Sequence, residues 1–299
     1  MNNQPVLLAR PITIFILLLC AVLFASNHIA ARIAFDNGTG LLLAVLARGG
    51  MALLLMMTIV VIRKAPLKIP PPLIKWQIFL GLLIAVQSVC LYSAIIRIPV
   101  ALALLLVNTW PVMFIVLSWM KGKKDPNTLT LLILSLILFG LFFVLDIDLS
   151  VKLEAKWILG VGLGFLSAVL LTIAMWITQY QLGQVPGSVR SSYTMLIVIT
   201  CMVLLGSMGV IPGGIELPVN TNGWLGLLGL AVFYGVASTL LFVLAHKLDM
   251  GRNSPILNFE PVASLFLGYV FLGQFLNTMQ LVGGSMVVGG IIAIGMMRK

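Results

Sequence analysis

Glu260 stands in the apolar run Ser254–Leu272 (SPILNFEPVASLFLGYVFL), two residues after Asn258 and one before Pro261. In lipid an ionised carboxylate costs about 3 kcal/mol even on the mildest scales, so Glu260 must face protein, water or a solute. The proline removes one backbone donor and frees a carbonyl one turn earlier for another partner. A second apolar run, Pro99–Met120, repeats the arrangement with Asn108, Trp110 and Pro111. Each Asn amide brings two donors and an acceptor to membrane depth. Asn27 and His28 lie in the first run of the chain, Arg48 in the second, and Gln87 and Tyr92 in the third. An acid at Glu260 and a base at Arg48 match a zwitterion such as an amino acid. The rings of Tyr92, Trp110, Trp176, Tyr234 and Tyr269 can pack an apolar side chain or present a face to an ammonium. Substrate contacts are thus expected at Asn27, His28, Arg48, Gln87, Tyr92, Asn108, Trp110, Trp176, Tyr234, Asn258 and Glu260. Blander readings stay open for each. Arg48 can snorkel to the interface, the Asn residues can bond neighbouring helices, and Glu260 can be buried and protonated or bind a coupling proton.

These residues need elements that hold them in a bilayer. Hydrophobic residues make up 61% of the 299 and charged residues 9%, which implies a polytopic membrane protein. Apolar runs of span length fall at Ile12–Ile33, Leu41–Ile62, Trp76–Ile95, Pro99–Met120, Leu129–Leu145, Trp157–Gln179, Val189–Ile211, Gly223–His246, Ser254–Leu272 and Met279–Met297. Ten spans of about 20 residues use roughly 200 positions, and the first reads as a retained helix rather than a signal peptide. The net charge of +10 is a topology signal, not a nucleic-acid footprint. With a cytoplasmic N-terminus, thirteen of the eighteen Lys and Arg fall inside: Arg10, Arg63, Lys64, Lys68, Lys75, Lys121, Lys123, Lys124, Arg190, Lys247, Arg252, Arg298 and Lys299. Both termini are therefore expected in the cytoplasm, with the chain in the inner (plasma) membrane. Cys20, Cys90 and Cys201 sit within spans and read as packing residues. Small residues one turn apart, Gly160, Gly164 and Ala168, then Ser285, Gly289 and Ala293, read as close helix–helix contacts.

A shift of 150 residues superposes Asn108 on Asn258, Pro111 on Pro261, Asn127 on Asn277, Ser135 on Ser285 and Gly140 on Gly290. Matches of rare residues in one register mark an internal repeat, 1–150 and 151–299. Five spans per half is odd, so the second half enters from the opposite side. The expected fold is an all-α integral membrane protein of ten transmembrane helices in two inverted five-helix repeats, with a central site and alternating access.

The FASN run at Phe24–Asn27, NTWPV at Asn108–Val112 and NFEPVASLFLGYVFLGQ from Asn258, followed by a glycine-rich last helix, resemble the EamA-type branch of the drug/metabolite transporter superfamily. The resemblance spans nearly the whole chain and implies a secondary transporter, often a metabolite or amino-acid exporter. Where the family commonly has an acid after a Leu-Gly, this chain has Lys124 and Gln274, so no gate built on that acid is carried over. The expected partners are a small-molecule substrate and the lipid bilayer, with coupling to protons or to exchange, no cofactor and no nucleic acid. Two other classes compete. An intramembrane enzyme on a lipid-linked substrate would need a nucleophile–base pair, paired acids or a metal motif within the spans. The only carboxylate well inside a span is Glu260, and His28 and His246 have no acid beside them. A passive channel usually shows a charged ring or a filter repeated by several subunits. No catalytic or metal residue is expected.

Overall fold

The computed structural model describes residues 7–95, 97–98, 100–122, 128–144, 155–209, 211, 214–272 and 276–296. Lys124 and Gln274 lie outside them. All regular structure there is helical: α1 Arg10–Asp36, α2 Leu41–Ile62, α3 Pro71–Ile95, α4 Val100–Val107, α5 Trp110–Met120, α6 Thr128–Val144 and α7 Ala155–Trp176, which runs into a π-turn, Ile177–Gln181. There follow α8 Gly187–Ser207, α9 Thr221–Leu244 with a 3₁₀ turn Ala245–Lys247, the short α10 Met250–Asn253, a 3₁₀ segment Ser254–Asn258, α11 Phe259–Leu272 and α12 Thr278–Met296. Seven helical segments among the described residues are long and apolar enough to cross a bilayer, and Thr128–Val144 and Thr278–Ala293 are shorter apolar helices. The chain is a multi-pass membrane protein.

Large apolar side chains such as Phe15, Leu132, Phe139, Phe266 and Phe271 point outward, while Ala21, Ala25, Ala30, Ala31 and Ala34 are buried. That distribution suits lipid, where apolar side chains gain nothing by turning inward and close backbone approach holds helices together.

The chain packs as two compact units. One comprises Met1–Ala85 and Ile177–Asp249, the other Val86–Trp176 and Met250–Lys299. In the first unit α9 packs on α1 and α2, and α8 packs on α2. A Cβ added at Gly226 on α9 would lie 2.7 Å from the Ala34 nitrogen and 3.0 Å from the Ala30 carbonyl oxygen, so the α1 and α9 backbones touch there. On α2, Gly49 faces Ile199 of α8, where a Cβ would meet Cγ1 at 3.4 Å.

In the second unit α6 packs on α12, and α7 on α4 and α5. Gly160 and Gly164 of α7 sit under Ile98 and Leu106 respectively, and Ala168 is buried, as their spacing implies. The expectation for α12 needs correction. Ser285 and Gly289 are exposed, and nothing lies within 4 Å of a Cβ at Gly289. The packed face holds Gly283, Val287 and Gly290. A Cβ at Gly283 would fall 2.5 Å from the Gly140 carbonyl oxygen, and one at Gly140 would fall 2.8 Å from the Gly283 carbonyl oxygen. Ser285 lies two residues on from Gly283, about 200° around the helix, and so points away from α6. The α6–α12 contacts are reciprocal at the 150-residue shift: Gly140 meets Val287 while Gly290 meets Ile137.

Candidate functional site

The polar groups expected to bind solute fall into both units. In the first, α1 supplies Phe24, Asn27 and His28, α2 supplies Arg48, and α9 supplies Tyr234. Arg48 is 7% exposed, with its guanidinium carbon 4.4 Å from the Tyr234 ring centroid. A desolvated cation–π contact of this kind contributes about 2 kcal/mol. Arg48 is therefore held against a ring inside the protein rather than extended to an interface. Phe24 also meets Tyr234, its ring tilted 60° to that of Tyr234 at 6.0 Å. Asn27 is buried, and its Oδ1 has no hydrogen-bond partner among the described residues. His28, next to it, is half-buried.

In the second unit the fourth apolar run is not one helix. Pro111 lacks an N–H and its ring crowds the carbonyl of the residue four before it, so α4 stops at Val107 and α5 starts at Trp110. Side chains repair the gap locally. The Asn108 backbone N–H and its Nδ2 both donate to the Leu104 carbonyl, at 2.9 and 2.8 Å. Thr109 Oγ1 donates to the Leu106 carbonyl at 2.6 Å. From α7, Thr172 Oγ1 donates within its own helix to the Ala168 carbonyl at 2.8 Å and lies 3.3 Å from the Trp110 carbonyl, while the Trp110 ring meets Phe114 edge-on at 6.3 Å. Gln87 Nε2 on α3 donates to Ser167 Oγ on α7 at 3.0 Å. Tyr92 is buried, and Trp176, at the end of α7, is half-buried.

The ninth run breaks in the same way. Asn258 ends the 3₁₀ segment and Glu260, half-buried, lies in the first turn of α11. Asn258 is 0% exposed, yet neither Oδ1 nor Nδ2 has a partner among the described residues. Ser254 Oγ and Ser264 Oγ nearby in sequence are in the same condition, as is Ser118 Oγ on α5, a helix that packs on the 3₁₀ segment. Leaving such a group unmet costs about 1–3 kcal/mol, so each is a candidate contact for a ligand or for water. Tyr269 does not join them: it is exposed on α11, where it faces outward.

One buried polar centre is absent from the expected set. Arg190, counted among the cytoplasmic charges, lies in the first turn of α8 and is 1% exposed. Its Nη1 donates to the carbonyls of Thr178 (3.4 Å) and Leu182 (3.2 Å), and its Nη2 donates to that of Phe242 (2.6 Å). The Thr178 carbonyl belongs to the π-turn, that of Leu182 follows it and that of Phe242 is in the last turn of α9, places where helices leave acceptors unmet. Gln77 Nε2 on α3 donates to the Arg190 carbonyl at 3.0 Å and to Thr194 Oγ1 at 2.9 Å. The signal was the polar run Ser188–Thr194 at the head of an apolar span, more polar than a loop edge requires.

The model of the EamA-like transporter family matches the sequence twice, over residues 11–146 and 151–296. An uncharacterized transporter of Archaeoglobus fulgidus is 29% identical over 210 residues, covering 67% of this chain and 68% of that protein. A solved structure described only as a crystal structure of protein superposes with a TM-score of 0.77 at 18% identity, over 96% of this chain and 98% of its own, and so shares the fold.

Proposed function

Because the chain belongs to the EamA-like transporter family, we propose that it is a secondary transporter exporting small metabolites such as amino acids across the cytoplasmic membrane. The observation that carries this is the double family match, one copy for each half of the sequence. Five apolar runs per half make the halves inverted repeats of a ten-span fold, and such repeats work by alternating access. One further fact supports that architecture: the α6–α12 contacts are reciprocal at the 150-residue shift. Candidate solute contacts in the first unit are Asn27, His28, Arg48 and Tyr234. Those in the second are Gln87, Tyr92, Asn108, Trp110, Trp176, Asn258 and Glu260. Arg48 suits a carboxylate, the unmatched Asn258 amide suits a polar group of either sense, and Glu260 suits an ammonium or a coupling proton.

The test is reconstitution of the full chain in liposomes with a panel of labelled amino acids. Saturable accumulation or counter-exchange of a chemically unchanged solute is the expected result. Flux that never saturates would make it a channel, and altered solute would make it an enzyme. Glu260→Gln then divides the two roles of the acid. Lost affinity for amines at every pH marks an ammonium partner; retained binding and exchange with loss of pH-gradient-driven transport marks a proton carrier.

A further inference from the structure

Beside Arg190 the first unit has a small cavity of about 10 Å³, lined by Leu80, Thr178, Arg190, Ser191, Thr194, Met195 and Phe242. That is room for one water-sized body. Its lining offers donors from a guanidinium and from hydroxyls. Three of the five guanidinium N–H groups go to the Thr178, Leu182 and Phe242 carbonyls. Thr178 Oγ1 and Ser191 Oγ, on side chains 1% and 3% exposed, have no partner among the described residues. Their neighbours behave otherwise: Ser192 and Thr194 each donate to the carbonyl four residues back, at 2.8 and 2.9 Å. No carboxylate bonds Arg190 among the described residues, and none lines the cavity.

We propose that this cavity is an anion site that holds one halide, chloride in solution, between Arg190 and the hydroxyls of Thr178 and Ser191. A water could use the same hydroxyls as acceptors, but it brings no charge. A halide takes the hydroxyl and guanidinium donors alone, and its charge offsets a cation buried away from water. So small a volume favours a monatomic anion over phosphate, sulfate or a carboxylate metabolite. The bound ion would tie the π-turn after α7 to the first turn of α8, so chloride should tighten this part of the unit.

The experiment is thermal unfolding of the full chain in detergent, titrating sodium chloride against sodium gluconate at constant ionic strength. The melting temperature should rise saturably with chloride and with bromide. Thr178→Val and Ser191→Ala should each raise the half-saturating concentration about tenfold, as loss of one hydrogen bond to an ion does. The double variant, which keeps the Arg190 clamp and its carbonyl bonds, should lose the response. Crystals grown in bromide should show an anomalous peak beside Arg190. Equal melting in chloride and gluconate, or a chloride response that the double variant retains, would overturn the proposal.

Discussion

Asn108 and Asn258 pair at the 150-residue shift of the sequence, each three residues before a proline, but their amides meet different circumstances. Asn108 bonds the Leu104 carbonyl and patches the broken helix, whereas Asn258 is fully buried with neither polar atom matched. Asn108→Ala should therefore lower stability by about 0.5–1.5 kcal/mol. Asn258→Ala should leave stability unchanged or raise it by about 1 kcal/mol, while cutting transport at least tenfold. Thermal unfolding in detergent together with liposome flux reads both, and a stable, fully active Asn258→Ala protein would remove that residue from the solute site. The matched Asn–Pro pairs were legible in sequence because such residues are rare in apolar spans. Their opposite bonding was not, since it depends on which carbonyls the local backbone turns toward each amide. The Arg48–Tyr234 contact gives a second expectation. Tyr234→Phe keeps the ring face and should unfold like the parent, whereas Tyr234→Leu should lose about 1–2 kcal/mol.

At the scale of elements, α12 carries two overlapping sets of small residues, and only one is used. Gly283, Val287 and Gly290 are spaced four and three apart, the seam of a left-handed helix pair, and meet α6 around Gly140. Ser285, Gly289 and Ala293 are spaced four and four. Small-residue spacing alone does not choose between these seams, because the choice rests on what the facing helix presents. Gly140→Ala and Gly290→Ala should each destabilise by about 1–3 kcal/mol, since the added methyl meets backbone or a packed Ile137. Gly289→Ala, with open space around its Cβ, should shift stability by less than about 0.5 kcal/mol. Thermal unfolding of the three variants in one detergent checks the order. The breaks in the fourth and ninth runs were foreseeable from Pro111 and Pro261, while the π-turn at Ile177–Gln181 has no comparable mark. Nothing in ITQYQ forbids an ordinary turn. What accompanies it is the Arg190 guanidinium on the Thr178 and Leu182 carbonyls, a partner that arrives from another helix.

For the whole molecule, the apolar runs and the charge asymmetry were legible because a bilayer imposes both on composition. Arg190 adds what that reading did not distinguish, since a basic residue near a span end can be buried in the protein whichever side of the membrane that end is on. The other inner charges still predict the orientation. A Lys68→Cys protein, carrying its thiol on the exposed link between α2 and α3, should react with an impermeant maleimide only after cells are opened. Labelling of intact cells would reverse the topology. Gly140 and Gly290, which pair at the 150-residue shift, stand on facing helices, one from each half of the sequence. Gly140 admits Val287 and Gly290 admits Ile137, so a single separation between α6 and α12 serves both. Neither glycine sets that distance alone, and a side chain at one would take away the room the other provides.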